Sequence, residues 1–148
     1  MYQLQHANGP KAIFVDGVKT FWAFYTDQMD DGTAYVTWNL NQSVAIEEIK
    51  IRAEEFSNYR HFAKDIILYC GMDENHKKYD YGIKLKTIQK SGWQYVYNID
   101  KQFYYNNKTN KEELFSMIGK YWKIKIVTNF GRLYGEIAQI DFRGYPFK

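Results

Sequence analysis

Few residues in this chain combine a reactive type with a useful spacing. The stretch "DQMDDG", residues 27–32, has the acidic density of a calcium loop. In an EF-hand, however, Met29 would stand at a ligand position and Trp38 where the bidentate glutamate belongs, so that chemistry fails. His6, His61 and His76 lack metal-ligand spacing, and Cys70 has no second cysteine to help it bind zinc or close an internal disulfide. Cys70 ends the apolar run "DIILYC", where it reads as a small buried hydrophobe rather than a nucleophile. The Glu-Glu pairs at 47–48, 54–55 and 112–113 would become acid–base dyads only by tertiary accident. No Gly-rich phosphate loop is present. An enzyme is disfavoured.

Two clusters remain. "FSNYRH", residues 56–61, presents Asn58, Tyr59, Arg60 and His61, and "TNFGRLYG", residues 128–135, presents Asn129, Phe130, Arg132 and Tyr134. Each combines flat aromatic faces with groups that hydrogen-bond a ligand's polar rim. The same aromatics would also serve as loop anchors, with each arginine paired to a nearby acid. If both clusters contact one ligand, residues 58–61 line one wall of a shallow site and the turn lines the other.

The chain's 148 residues suit a single domain spanning 1–148. Its 45% hydrophobic and 25% charged content is that of a globular chain. The net charge of +3 is too small, and too evenly interspersed, to imply a nucleic-acid partner. Lys84, Lys86 and Lys90 read as a solvated face. The aromatic content of 19%, with 14 Tyr and 4 Trp, is high. Composition alone favours a sheet-rich core over a stacking surface. There is no apolar stretch long enough for a membrane span, and "MYQLQHANGP" lacks a signal-peptide core.

The elements that must position the two clusters are strands. In "AYVTWNL", Val36, Trp38 and Leu40 face one way and Thr37 and Asn39 the other. "VAIEEIKIR" slips phase between Ile46 and Ile49, which calls for a strand starting near Glu47 or for a bulge. "DIILYC", "GWQYVYNI", "YWKIKIV" and "EIAQIDF" complete at least six strands, the last two joined by the short "NFGR" turn. "DQMDDGT" reads as a turn. One helix is expected over "TNKEELFSMIG", capped by Thr109 with Glu112 reaching back, striped by Leu114, Met117 and Ile118, and stopped by Gly119. The expected core comprises Trp38, Ile49, Ile51, Leu68, Trp122, Ile124, Ile126, Ile140 and Phe142 of an all-β antiparallel sandwich or jelly roll.

The order of these features resembles the discoidin, or coagulation factor 5/8 type C, family of galactose-binding-like domains. "AIFVDGVKTFWAF" is similar to the family's opening motif at Asp16, Gly17, Thr20 and Trp22, and "KYWKIKIVTNFGRLYGEIAQIDFRG" is similar to its closing strands. "DIILYCGMDENHKKY" lies where the family runs into Ser-x-Asp-Gly, altered here to Cys70-Gly71-Met72-Asp73. The resemblance implies a galactose-binding-like β-sandwich with at most one or two short helices. It implies no catalysis and a ligand held by loops at one end, whether sugar, lipid headgroup or protein. Asp16, Gly17 and Trp22 would then fix the first loop.

Many members hold calcium in that loop. Thr20 and Glu136 match two of its ligands, but Val18 stands at the carboxylate position, so calcium is possible there and disfavoured, and no other cofactor is expected. The family's secreted animal members carry a terminal cysteine pair that is missing here. A sandwich running from Met1 to Lys148 without a secretory signal fits a bacterial or phage protein, on a virion surface or in the cytoplasm. Its partner would be a cell-surface glycan or, alternatively, a protein of a larger assembly such as a phage tail, baseplate or capsid.

Overall fold

The computed structural model describes residues 22–53, 62–90, 92–98, 103–106, 111–114, 117–131 and 134–146; at 22–26, 103–106, 111–114 and 134 the backbone alone is described. The strands are β1 (Trp22–Tyr25), β2 (Tyr35–Arg52), β3 (Ala63–Gly71), β4 (Tyr81–Lys86), β5 (Trp93–Asn98), β6 (Phe103–Asn106), β7 (Lys111–Leu114), β8 (Met117–Asn129), β9 (Tyr134–Ile137) and β10 (Gln139–Pro146). Helix α1 spans Thr26–Asp30. The main sheet runs β10-β2-β8-β3-β4 with β5 also paired to β2, and β1-β9 and β6-β7 form two-stranded sheets. Every strand pair is antiparallel.

The 18-residue strand β2 holds this architecture together, because it changes partners along its length. Tyr35 to Asn39 and, after a break in register, Val44 to Ile46 pair with β8, and Glu48 to Arg52 pair with β5. On its other edge β10 follows it from Val44 to Arg52. Arg143 faces Glu48 and Gly144 faces Ile46, so Glu47 is left unpaired. That bulge is the phase slip seen in the sequence, and it lets both Ile46 and Ile49 turn inward, at 4% and 1% exposure. A strand that bends through a bulge can serve two layers around one core. The core is a single cluster to which β2, β3, β8 and β10 all contribute. Of the expected core, Ile49, Ile51, Leu68, Trp122, Ile124, Ile126 and Ile140 are buried, while Trp38 and Phe142 pack against them half-buried.

Three local expectations are corrected. The segment read as a helix over 109–119 is extended where it is described: Lys111–Leu114 pairs with β6, and Met117 and Gly119 belong to β8. Met117 and Gly119 are buried and Ile118 is not, which is strand alternation. Gly119 also lies so close to β3 that an added Cβ would meet Gly71 N at 2.8 Å, a packing that only the strand provides. The helix signal was local, and non-local pairing overrode it.

Conversely, the turn read at "DQMDDGT" contains the helical turn α1. It is closed by Asp31 Oδ1, which accepts the Thr33 amide (2.9 Å) and hydroxyl (2.6 Å), and by Gly32 at φ 79°. Met29 points into the core from it. Finally, "EIAQIDF" divides at Ala138, whose amide donates to the Arg52 carbonyl (3.0 Å). β9 pairs with β1 and β10 with β2, so β8 and the strand after its turn are not hairpin partners.

Candidate functional site

The turn after β8 carries two of the residues singled out by sequence. The Phe130 amide donates to the Phe62 carbonyl (3.2 Å), and the two rings stack with centroids 6.5 Å apart at 24°. Phe62 is buried, Phe130 is half-buried against the core, and Lys64 Nζ lies 5.8 Å over the Phe130 ring. Phe130 is therefore partly an anchor, with less ring face for a ligand than a solvent-facing side chain would have. Asn129 Oδ1 accepts the Gly131 amide (2.9 Å), bracing a turn that needs Gly131 at φ 93°.

Asn58, Tyr59, Arg60, His61 and Arg132 lie outside the described residues, as does the Tyr134 side chain. Chain connectivity still relates them. His61 is covalently joined to Phe62 and Arg132 to Gly131, and Phe62 is bonded to Phe130 and bridged to Glu136. The two clusters thus enter the described fold at one place.

Beside this place is a groove of about 330 Å³ on the outer side of β3, β4 and β8, lined by Asp65, Ile67, Lys84, Lys86 and Val127. It owes its shape to two opposed bulges. Ala63 faces Asn129, Asp65 faces Thr128 and Ile66 faces Ile126, so Lys64 and Val127 are each left over. Asp65 Oδ2 accepts the Thr128 hydroxyl (2.6 Å), and that hydroxyl oxygen accepts the Asp65 amide (3.2 Å). Apolar floor, exposed ammonium groups and one carboxylate can hold a polar ring by contact and hydrogen bonds. Lys84 and Lys86 are exposed as expected, but their place in a groove was not legible, because only the pairing of β4 with β3 brings them there.

The aromatic residues divide between the sheet-rich core that composition favoured, where Phe62 is buried and Trp38, Phe130 and Phe142 pack against it, and the outer faces. Trp122 and Tyr97 are core residues, but Tyr35, Tyr81, Trp93, Tyr95 and Tyr145 are all exposed. On one outer face Lys123 Nζ lies 4.3 Å over the Tyr35 ring. There the segment between β3 and β4 is held by His76, whose Nε2–H donates to Asn39 Oδ1 (2.6 Å) while Nδ1 accepts from the Tyr79 hydroxyl (2.9 Å). Asp73 accepts the amides of Asn75, Lys77 and Lys78, which holds its carboxyl below the usual range, led by the Asn75 bond. His76, at φ 55°, latches a loop and is not poised as a metal ligand.

Cys70 is fully buried with its thiol toward the Ile118 carbonyl (3.5 Å), and desolvation, reinforced by the charge of Asp80, pushes its pKa up to about 12. Among the described residues no three His, Cys, Asp or Glu side chains gather as for a metal ion. Glu136 is buried at the end of β1-β9, and residues 16–20 lie outside the described part, so the first-loop calcium site stays an expectation. No described helix is long and apolar enough to cross a membrane.

No protein-family model matches the sequence, and no curated protein matches it significantly. Solved structures do match. The CBM32 of AlyQ, in complex with 4,5-unsaturated mannuronic acid, superposes with a TM-score of 0.59 at 13% identity, over 95% of this chain and 89% of that one. A chitosan-binding module from a chitosanase/glucanase of Paenibacillus sp. IK-5 gives 0.58 at 14% identity, covering 95% and 88%. An F5/8 type C domain from Bacteroides fragilis gives 0.59 at 12% identity, covering 93% and 81%. Of a truncated AlyQ that carries both CBM32 and alginate lyase domains, the chain spans only 30%. The chain has the antiparallel β-sandwich fold of F5/8 type C domains and CBM32 modules.

Proposed function

We propose that this protein is a non-catalytic carbohydrate-binding module whose ligand sits where residues 58–61 meet the turn after β8. Asn58, Tyr59, Arg60 and His61 form one wall, and Asn129, Phe130, Arg132 and Tyr134 the other. The observation that carries this reading is the bond from the Phe130 amide to the Phe62 carbonyl, which ties the points where both segments leave the described fold. Sugar rings need a flat apolar face and converging donors and acceptors, and these segments are rich in both. The fold supports the same reading, since neighbours solved as chitosan-binding or mannuronate-bound modules share it.

The competing role, docking within a phage or other assembly, is less well supported. The edge strand β4 carries exposed Lys84 and Lys86, charges that discourage strand-to-strand addition. A glycan array with the purified chain tests the proposal, followed by the double change Tyr59→Ala, Arg132→Ala. Binding should fall at least about tenfold, as expected when a stacking ring and a charged donor are both lost. The melting temperature should stay near that of the wild type. Phe130→Ala is a poorer probe, since it also removes packing against Phe62. A wild-type protein that binds no glycan refutes the function, and a double variant that binds normally places the site elsewhere.

A further inference from the structure

β5 is read as "WQYVYN", in which strict alternation would place Trp93, Tyr95 and Tyr97 on one face. The structure separates them. Tyr95 faces Lys50 and Tyr97 faces Ile49, so Val96 is an unpaired bulge. Tyr97 therefore enters the core at 1% exposure, while Trp93 and Tyr95 remain in solvent at 38% and 61%. The strand carrying them is firmly held. Gln94, buried between them, accepts the Ile88 amide (2.9 Å) and donates to the Ile88 carbonyl (2.8 Å), pinning the loop before β5.

Around the two rings, neighbouring strands supply polar groups of both kinds. Lys50 Nζ lies 5.4 Å over Trp93 and 5.9 Å over Tyr95, and Arg52 lies 5.8 Å over Trp93. Asp141 of β10 meets Lys50 at 3.6 Å, and Glu48 meets Arg143 at 3.9 Å. The face is thus nearly charge-balanced. Its aromatic side chains stand about 7 Å apart along one strand.

We propose that this outer face of β10-β2-β5 is a second glycan-binding platform, which takes several consecutive units of a neutral polysaccharide chain. The two exposed rings in line offer stacking faces for successive apolar sugar faces on the sides that Lys50 and Arg52 do not cover, and Lys50 and Asp141 offer a donor and an acceptor for hydroxyl groups. An acidic glycan would meet the carboxylates of Asp141 and Glu48 as well as the cations, which gives it no advantage. The platform rests on the carbohydrate reading above but is separate from the loop site, since it uses none of the residues placed there.

The test compares wild type, Trp93→Ala/Tyr95→Ala and Tyr59→Ala/Arg132→Ala on galactan, xylan and glucan of graded length, with alginate and polygalacturonate as acidic probes. The platform variant should keep its melting temperature, and should lose about tenfold or more in affinity for long neutral chains, the combined effect of two lost stacks. Its affinity for monosaccharides should be unchanged. Trp93→Phe, which keeps a ring, should retain more binding than Trp93→Ala.

Wild-type emission should shift on titration with a neutral oligosaccharide, and the shift should vanish in Trp93→Phe. Unaltered binding in the platform variant, with loss in the loop variant, overturns the platform and leaves the function standing. A wild type that binds no glycan overturns both. Binding confined to acidic chains and abolished by salt overturns the neutral ligand, and a wild-type dimer that Trp93→Ala/Tyr95→Ala dissociates assigns the face to a second copy.

Discussion

Replacing Trp122 by alanine should bring this domain close to its unfolding threshold. Trp122 is 1% exposed, faces Trp38 across β2 and β8, and stacks on it with ring centroids 6.3 Å apart at 16°. Its indole N–H donates to the Gly119 carbonyl (3.1 Å), in a part of β8 packed tightly on β3. Truncating a buried large aromatic costs about 3–5 kcal/mol through lost transfer energy and the cavity left behind. The orphaned carbonyl adds about 1 kcal/mol. A total of about 4–6 kcal/mol is a large share of the roughly 5–15 kcal/mol that holds such a domain folded.

For a chain of this length each kcal/mol moves the midpoint by about 2–4 °C, so the melting temperature should fall by roughly 8–24 °C. Urea unfolding followed by circular dichroism and by fluorescence would measure it. Trp122→Phe keeps a ring against Trp38 and should lose less than half as much. A Trp122→Ala loss under about 1 kcal/mol would refute the packing argument, and a mostly helical spectrum would refute the architecture itself.

Gly144→Ala should destabilise by about 1–3 kcal/mol or more in the same assay, because the new Cβ would lie 2.2 Å from the Ala45 carbonyl oxygen, which the backbone cannot easily move. Cys70 should resist a thiol reagent until the chain unfolds, whereas fast native-state labelling near neutral pH would reveal an activated thiolate. Burial raises Cys70, Tyr79 and Tyr97 to about 12. Their neutral forms thus stabilise the fold fully below pH 9, and that contribution is lost as pH rises from about 9 through 12, so the melting temperature should drop across that window and stay flat just below it. Melting in calcium and then in excess chelator should give equal midpoints, while a shift of several degrees would mean that a metal binds with ligands that bypass Val18.

The strands were legible wherever one face is buried and the pairing is regular. The alternations Val36-Trp38-Leu40, Ile66-Leu68-Cys70 and Trp122-Ile124-Ile126 each point the expected side chains inward. Partners were not legible, because a strand's pattern says which face is apolar and nothing about which edge it joins. The stretch from Tyr121 to Phe142 reads correctly as strands joined by a short turn, but its alternation does not say that β8 joins β2 and β3 while β9 joins β1. The apparent helix at 109–119 failed for a related reason. Leu114, Met117 and Ile118 fit a helical stripe, but Met117 and Gly119 also fit a strand, and packing against β3 favours the latter.

The candidate surfaces depend even more on pairing than the core does. Four bulged residues in the main sheet decide which side chains meet solvent: Glu47 lets both Ile46 and Ile49 turn inward, Lys64 and Val127 shape the groove beside Phe130, and Val96 sends Tyr97 inward while leaving Trp93 and Tyr95 outside. None of these residues is unusual in type, and composition cannot tell an aromatic residue that stabilises a core from one that meets a ligand. Only the Glu47 bulge left a trace in the sequence, because the apolar residues on both sides of it are isoleucines whose spacing breaks the alternation. Around Val96 the alternation Trp-Tyr-Tyr is unbroken on paper, so the residue that exposes the aromatic face is invisible until Tyr97 is paired with Ile49 and Tyr95 with Lys50. A one-residue change in register would exchange the buried and exposed sets. The aromatic excess is therefore shared between the core, with Phe62, Tyr97 and Trp122, and the outer faces, with Tyr35, Tyr81, Trp93, Tyr95 and Tyr145, and pairing decides which residue goes where.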